Sequence, residues 1–101
     1  MDERLRSVIS SLHTSFPIDA VYVFGSFGRG VETDDSDIDI LVVYSVKPKD
    51  PFELAYEIRR YLHKHLDRAL DVIVSSREDF DRRLHHPWTI EHVAFEEGVA
   101  V

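Results

Sequence analysis

The sequence predicts an α/β (α+β) fold, with helices packed against a central mixed sheet of three to four strands. Three short runs rich in β-branched residues, DAVYVF, IDILVVY and ALDVIVS, predict the strands. Segments with apolar residues at helical spacing lie between or beside these runs, an order typical of a helix-covered sheet. A length of 101 residues fits one domain, so residues 1–101 are expected to form a single unit.

The first half of the chain predicts a helix, a strand and a second strand. The helix is expected over residues 3–13, with Pro17 closing the segment. Its apolar residues recur at i, i+3, i+4 and i+7: Leu5, Val8, Ile9 and Leu12. The strand DAVYVF ends at Gly25, where a short helix can begin, and IDILVVY is apolar on both faces, as expected of a covered strand.

The second half predicts a long helix, a third strand and two further helices. Asp50 is an N-cap with a proline at the first helical position and Glu53 at N3. The helix that follows is expected to bury four apolar residues: Ala55, Ile58, Leu62 and Leu66. After ALDVIVS, a capping box over residues 75–78 opens a helix to about Leu84, and a last helix runs from Pro87 to Gly98.

Composition excludes several classes of function. The chain carries a net charge of −7 with a pI near 5.2, so direct nucleic-acid binding is not expected and cations or a partner must offset phosphate charge. The absence of cysteine excludes disulfides, thiolate zinc sites and a cysteine nucleophile. No run approaches the ~20 apolar residues of a membrane helix and no signal peptide is evident, so a cytoplasmic protein is expected.

Gly25 and Ser26 form a glycine-serine turn at the end of the first predicted strand. The stretch lacks the glycine-lysine of a P-loop, and its glycine spacing does not match the dinucleotide fingerprint. A glycine there lets a phosphate approach the backbone, and a serine at a helix N-terminus offers a hydroxyl and amide groups to an anion. Taken alone, the pair is more simply explained as a plain turn with Ser26 as an N-cap, since Gly-Ser is common.

Asp37 and Asp39 stand two residues apart at the start of the second strand, so both side chains leave the same face. Two unit charges ~6 Å apart repel by roughly 2.8 kcal/mol at an effective dielectric of 20, and a divalent cation would reverse that repulsion. Oxygen ligands without cysteine favour Mg²⁺ or Mn²⁺. Asp71, in an otherwise apolar strand, is a third candidate ligand, although an acidic pair at a strand end is the plain alternative for Asp37 and Asp39.

Together these motifs resemble the signature of the DNA polymerase beta-like nucleotidyltransferases. Gly25-Ser26, ten intervening residues, and Asp37-Ile38-Asp39-Ile40 carry the resemblance, which points more narrowly to the minimal nucleotidyltransferase (MNT) group. The resemblance implies that Gly25 and Ser26 hold the β- and γ-phosphates of ATP, and that Arg29 neutralises phosphate charge. It also implies that Asp37 and Asp39 bind two Mg²⁺ ions, with Asp71 as further ligand or as base.

The same resemblance implies an activity and a partner. Members of the group transfer AMP from ATP to a hydroxyl, and stand-alone members serve as antitoxins that modify a HEPN-type ribonuclease toxin. A homo- or hetero-oligomer is expected, because a chain of 101 residues leaves no room for a separate acceptor-binding domain. Two alternatives stay open: an antitoxin that masks the toxin without catalysis, and a small-molecule transferase of the aminoglycoside-modifying type.

Overall fold

Four strands form one mixed sheet in the computed structural model, which describes residues 1–25 and 37–101. The strands are β1 (Ala20–Phe24), β2 (Ile38–Tyr44), β3 (Leu70–Ser76) and β4 (Val99–Ala100), in the spatial order β3-β2-β1-β4. β2 pairs with β3 in parallel, whereas β1 pairs antiparallel with both β2 and β4. The predicted mixed sheet with helices packed against it is confirmed.

Five helices surround the sheet in the described residues: α1 (Glu3–Ser10), α2 (Leu12–Ser15), α3 (Pro51–His63), α4 (Arg77–Arg83) and α5 (Ile90–Glu97). The single first helix predicted over residues 3–13 is wrong, because the helix divides at Ser11. The Ser11 hydroxyl donates to the backbone oxygen of Val8 at 2.6 Å and lies 2.7 Å from the Tyr61 hydroxyl. Such bonds from serine to its own helix compete with regular helix geometry. The short helix predicted after Gly25 falls outside the described residues.

Side chains alternate across the sheet and build a core on each face. On one face, Ile38, Ile40 and Val42 of β2 pack with the apolar residues of α1, α2 and α3, among them Ile9, Leu12, Ile58 and Leu62. On the other face, Leu41 and Val43 pack with Phe80 of α4 and Ala94 of α5. β2 is therefore covered on both sides, as its apolar sequence predicts.

Polar caps fix where the helices begin. Asp50 accepts a hydrogen bond from the Phe52 amide at 2.9 Å, so the predicted cap of α3 is confirmed. The cap of α4 lies one residue after the start of the predicted box over residues 75–78: Ser76 accepts from the Asp79 amide at 3.0 Å, and the Ser75 hydroxyl donates to Glu91 instead. The last helix was predicted from Pro87, but Thr89 is its cap and α5 begins at Ile90. The Thr89 side chain accepts from the His92 amide at 3.1 Å, which sets that start.

The short strand β4 was not predicted from the sequence. It has two residues, too few for an alternating pattern, and it follows Gly98 directly. A side chain on Gly98 would place its Cβ 2.9 Å from the backbone oxygen of Val23, so a glycine allows α5 and β1 to approach closely. β4 therefore depends on a tertiary contact and not on local sequence.

None of the helices in residues 1–25 and 37–101 combines the length and the hydropathy required to span a bilayer. The longest, α3, has 13 residues.

We expect Ile58→Ala to lower the free energy of unfolding by about 2–5 kcal/mol, because Ile58 is fully buried between α3 and the sheet. Urea denaturation measures the change. Val46→Ala is the control: this side chain is 66% exposed, and its loss should alter stability by less than about 0.5 kcal/mol. Equal effects of the two substitutions would contradict the assignment of Ile58 to the core.

Candidate active site

Asp39 of β2 and Asp71 of β3 are direct partners in the parallel ladder. Partners on adjacent strands project to the same face, and the strands lie about 4.8 Å apart. This face is the one that α4 and α5 cover further along the strands, where Leu41 and Val43 are buried. Asp39 is half-buried and Asp71 is exposed, so the pair lies at the beginning of both strands, open to solvent.

The two carboxylates and Asp37 interact electrostatically. Burial raises the pKa of Asp39 above its ordinary value, and the negative charges of Asp71 and Asp37 raise it further. Asp37 immediately precedes β2, and its side chain is exposed. The crowding of like charges that the sequence predicts therefore exists in the fold, and it is centred on Asp39.

The environment of Asp71 differs from the sequence-based expectation in one respect. Its charge was expected to be costly because the neighbouring residues of the strand are apolar. In the sheet of the described residues β3 lies at an edge, and Asp71 is its second residue, with an exposed side chain. Solvent therefore hydrates Asp71, and the argument from the cost of burial is wrong for this residue.

Gly25 follows β1 directly and lies next to the carboxylate of Asp39. Its φ is +72°, a left-handed conformation that favours glycine. A Cβ built on Gly25 would collide with Oδ2 of Asp39 and lie 3.4 Å from its Cγ. Two features therefore favour a glycine at this position: the left-handed backbone conformation and the close contact with Asp39. Sequence reasoning gave Gly25 a role toward phosphate and missed this contact.

Two predicted site residues, Ser26 and Arg29, lie outside the described residues. Within the described part of the chain, no three His, Cys, Asp or Glu side chains are grouped closely enough to hold a metal ion by themselves. Asp37, Asp39 and Asp71 thus form an incomplete set of oxygen donors. Mg²⁺ sites in phosphoryl-transfer enzymes are commonly of this kind, with one or two carboxylates and the remaining ligands from substrate phosphates and water.

Comparison with known proteins identifies the family. The sequence profile described as "Nucleotidyltransferase domain" matches residues 3–101. The chain belongs to the nucleotidyltransferase domain family. The predicted enzyme class is thereby confirmed, and the chain is a nucleotidyltransferase.

Two relatives of this nucleotidyltransferase come from Methanocaldococcus jannaschii, and both carry the name "Putative protein adenylyltransferase". One is 30% identical over 86 residues, which cover 85% of this chain and 80% of the relative. The other is 27% identical over 99 residues, covering 96% of this chain and 93% of the relative. The similarity thus extends over nearly the whole nucleotidyltransferase domain.

Solved structures show the same fold. A "putative nucleotidyltransferase" from Sulfolobus solfataricus is 29% identical, with a TM-score of 0.60 over 97% of this chain and 76% of the other. A toxin-antitoxin complex solved with AMP-PNP contains a chain that is 21% identical, with a TM-score of 0.61 over 94% and 69%. A chain in the structure of a mutant of the toxin-antitoxin MntA-HpeT is 22% identical, with a TM-score of 0.61 over 99% of this chain and 72% of the other.

We expect Gly25→Ala to destabilise the protein by more than the roughly 1–2 kcal/mol that a left-handed backbone costs alanine, because the methyl group also meets Asp39. A double-mutant cycle with Asp39→Ala separates the two effects. In the Asp39→Ala background the cost of Gly25→Ala should fall to the conformational part alone. An unchanged cost would show that Gly25 and Asp39 are not in contact.

The raised pKa of Asp39 predicts a dependence of stability on pH in the absence of divalent cations. The folded state binds this proton more tightly than the unfolded state, so the free energy of unfolding falls as pH rises from the ordinary value of 3.8 through the raised pKa. Asp39→Asn should therefore be more stable than the wild type at pH 7, with the difference shrinking toward pH 4. Urea denaturation in EDTA at both pH values measures this.

Asp37→Asn provides the matched comparison for this pH experiment. It removes only the weakest of the three contributions to the pKa of Asp39, so its gain in stability at pH 7 should have the same sign and be smaller. A loss of stability at pH 7 in Asp39→Asn would contradict the electrostatic description of the site.

Proposed function

We propose that this nucleotidyltransferase transfers AMP from ATP to a hydroxyl group on a partner protein, with Mg²⁺ held by Asp37, Asp39 and Asp71. The observation that supports this most directly is the register of β2 and β3, which pairs Asp39 with Asp71. Asp39 and Asp71 are like charges that the fold keeps side by side and accessible to solvent, and such an arrangement suits a site that a cation completes.

The donor set fits Mg²⁺ or Mn²⁺. The three carboxylates offer oxygen atoms only, and Asp37 and Asp71 are exposed, so their free oxygens remain accessible to an ion. Bound there, the metal ions would stabilise charge on the entering and leaving oxygens of a phosphoryl transfer. Asp39, the most crowded of the three, would gain most from this neutralisation.

In the proposed reaction the acceptor hydroxyl oxygen forms a bond to the α-phosphorus of ATP. The bond from the α-phosphorus to the bridging oxygen breaks, and pyrophosphate leaves. Asp71, exposed at the edge of the sheet, is suited to accept the proton of the hydroxyl, because an acceptor on another protein can reach it. Asp37 and Asp39 would hold the metal ions, and correct positioning of the triphosphate supplies much of the rate.

Gly25 and Ser26 are proposed to hold the β- and γ-phosphates. The left-handed conformation of Gly25 beside Asp39 supports this role, since it puts the end of β1 next to the proposed metal ligands. Arg29 is proposed to offset the charge of the triphosphate, which an acidic chain otherwise leaves unneutralised.

A HEPN-type ribonuclease toxin is the proposed acceptor, with this protein as its cytoplasmic antitoxin. The names of the relatives as protein adenylyltransferases support a protein acceptor. The toxin-antitoxin complexes that contain the same fold support a toxin as partner. The exposed side chains of Trp88 and Phe95 offer apolar contact area on this protein for a partner.

The test incubates the protein with a basic HEPN-type ribonuclease, ATP and Mg²⁺, and measures the mass of the ribonuclease. We expect an increase of one or more AMP units on a hydroxyl residue and a ribonuclease that stays inactive after the transferase is removed. Asp39→Asn and Asp71→Asn should fold, bind the ribonuclease and transfer no AMP, because both substitutions remove metal ligands without removing packing.

The control for this test is Asp67→Asn, an exposed carboxylate on the connection between α3 and β3, which should retain full transfer. If wild type and Asp39→Asn inhibit the ribonuclease equally and the mass of the ribonuclease does not change, the result would favour an antitoxin that masks the toxin. Transfer to a small alcohol or an aminoglycoside but never to protein would favour a small-molecule enzyme.

A further inference from the structure

The outer edge of β3 has the features of a strand that pairs with another chain. In the sheet that the described residues form, β3 is an edge strand of seven residues, Leu70–Ser76. Its three central residues, Val72, Ile73 and Val74, are apolar and only half-buried. Natural edge strands are usually protected by charges, prolines or bulges. Here Asp71 is the only charge on the strand, and it lies near one end.

Helix α3 extends this surface along one side of β3. Its Phe52 and Tyr56 side chains are 86% and 53% exposed, although both are large and aromatic. Two shallow cavities follow the junction of helix and strand, with volumes of about 180 and 350 Å³, and both are lined by Tyr56 and Arg59. The first reaches Val72 and the second reaches Leu70. An open groove lined by aromatic, aliphatic and cationic side chains thus follows the outer edge of β3.

The side chains on the groove side of α3 change in character from one end of the helix to the other. Aromatic residues, Phe52 and Tyr56, occupy the N-terminal half, and cationic or ionisable residues, Arg59 and His63, occupy the C-terminal half. These four residues follow one another at the spacing of a single helix face.

Because aromatic residues come first and cationic residues last along α3, the groove side of one helix complements that of a second copy that runs in the opposite direction. In an antiparallel pair of α3 helices, Tyr56 faces Arg59 of the second copy and Phe52 faces His63 of the second copy. A guanidinium over an aromatic ring is attractive. A parallel pair would instead place Arg59 beside Arg59 of the second copy and bring like charges together. Antiparallel pairing of β3 with β3 of the second copy needs the same inversion.

We propose that the protein forms a two-fold symmetric dimer through this α3–β3 edge, in which the two sheets join as one. A two-fold interface requires that the same patch complement itself, and the order of side chains along α3 meets that condition. A two-fold axis perpendicular to the joined sheet keeps both carboxylate clusters on the same side of it. The proposal is independent of the nucleotidyl transfer and stands even if the acceptor is different.

Sedimentation equilibrium of the isolated chain tests the dimer. We expect a mass of twice 11.7 kDa at tens of micromolar protein. Phe52→Ala with Tyr56→Ala should raise the dissociation constant at least about tenfold, because exposed aromatic side chains become central contacts. Trp88→Ala is the matched control, since Trp88 is 80% exposed but lies outside the α3–β3 edge, and it should leave the dissociation constant unchanged.

Cysteine cross-linking tests the direction of pairing, and the absence of native cysteine makes it clean. A mixture of the Phe52→Cys and His63→Cys variants should give a cross-linked heterodimer with a short bismaleimide, in higher yield than either variant alone. Amide hydrogen exchange at Val72, Ile73 and Val74 should also slow as the protein concentration rises.

Three results would overturn the proposal. The first is a monomer at all concentrations, and the second is a dimer that survives the double alanine substitution. The third is protection of β3 by a different protein or a nucleic acid in place of a second copy. Circular dichroism of each variant confirms that a lost dimer is not a lost fold, since Phe52 and Tyr56 are exposed in the monomer.

Discussion

The parallel pairing of β2 with β3 is the constraint on which the site depends. A shift of one residue in this register would send Asp71 to the opposite face from Asp39, because side chains alternate along a strand. Packing opposes that shift: Leu70 of β3 is buried in the core beneath α1, α2 and α3, and a slip of one residue would turn it to the other face. Helix α3 makes the parallel connection, and its buried side chains join the same core. Apolar packing thus determines where two carboxylates meet.

The site lies where that packing ends. Helices α4 and α5 cover the face of the sheet beyond Leu41, but they leave the first residues of β2 and β3 open, so Asp39 is only half-buried. The burial of Asp39 and the like charges of Asp71 and Asp37 cost stability in the absence of a cation, and the raised pKa of Asp39 expresses this cost. Proteins commonly tolerate such local costs at functional sites, where activity requires them.

The opposite end of the sheet is held by a buried polar group. Glu91 of α5 is almost fully buried, and one of its oxygens accepts a hydrogen bond from the Ser75 hydroxyl at 3.1 Å. The other oxygen has no hydrogen bond in the described residues, and Nε of Arg83 lies 3.4 Å from it, at ion-pair distance. A buried carboxylate is tolerated only with such partners. This contact ties α4, α5 and β3 together at the end of β3 opposite Asp71.

The sequence by itself determined the strands β1 to β3, the cap of α3 and the family, because these depend on local patterns and on motif spacing. Only the tertiary structure decided the break at Ser11, the strand β4 and the exposure of Asp71. The strand β4 and the exposure of Asp71 depend on neighbours distant in sequence: Val23 and the position of β3 at the sheet edge. The break at Ser11 combines a local bond to Val8 with a contact to the distant Tyr61. The closeness of Gly25 to Asp39 belongs to the same group. A pattern predicts which residues can form a site, but strand register decides which of them meet.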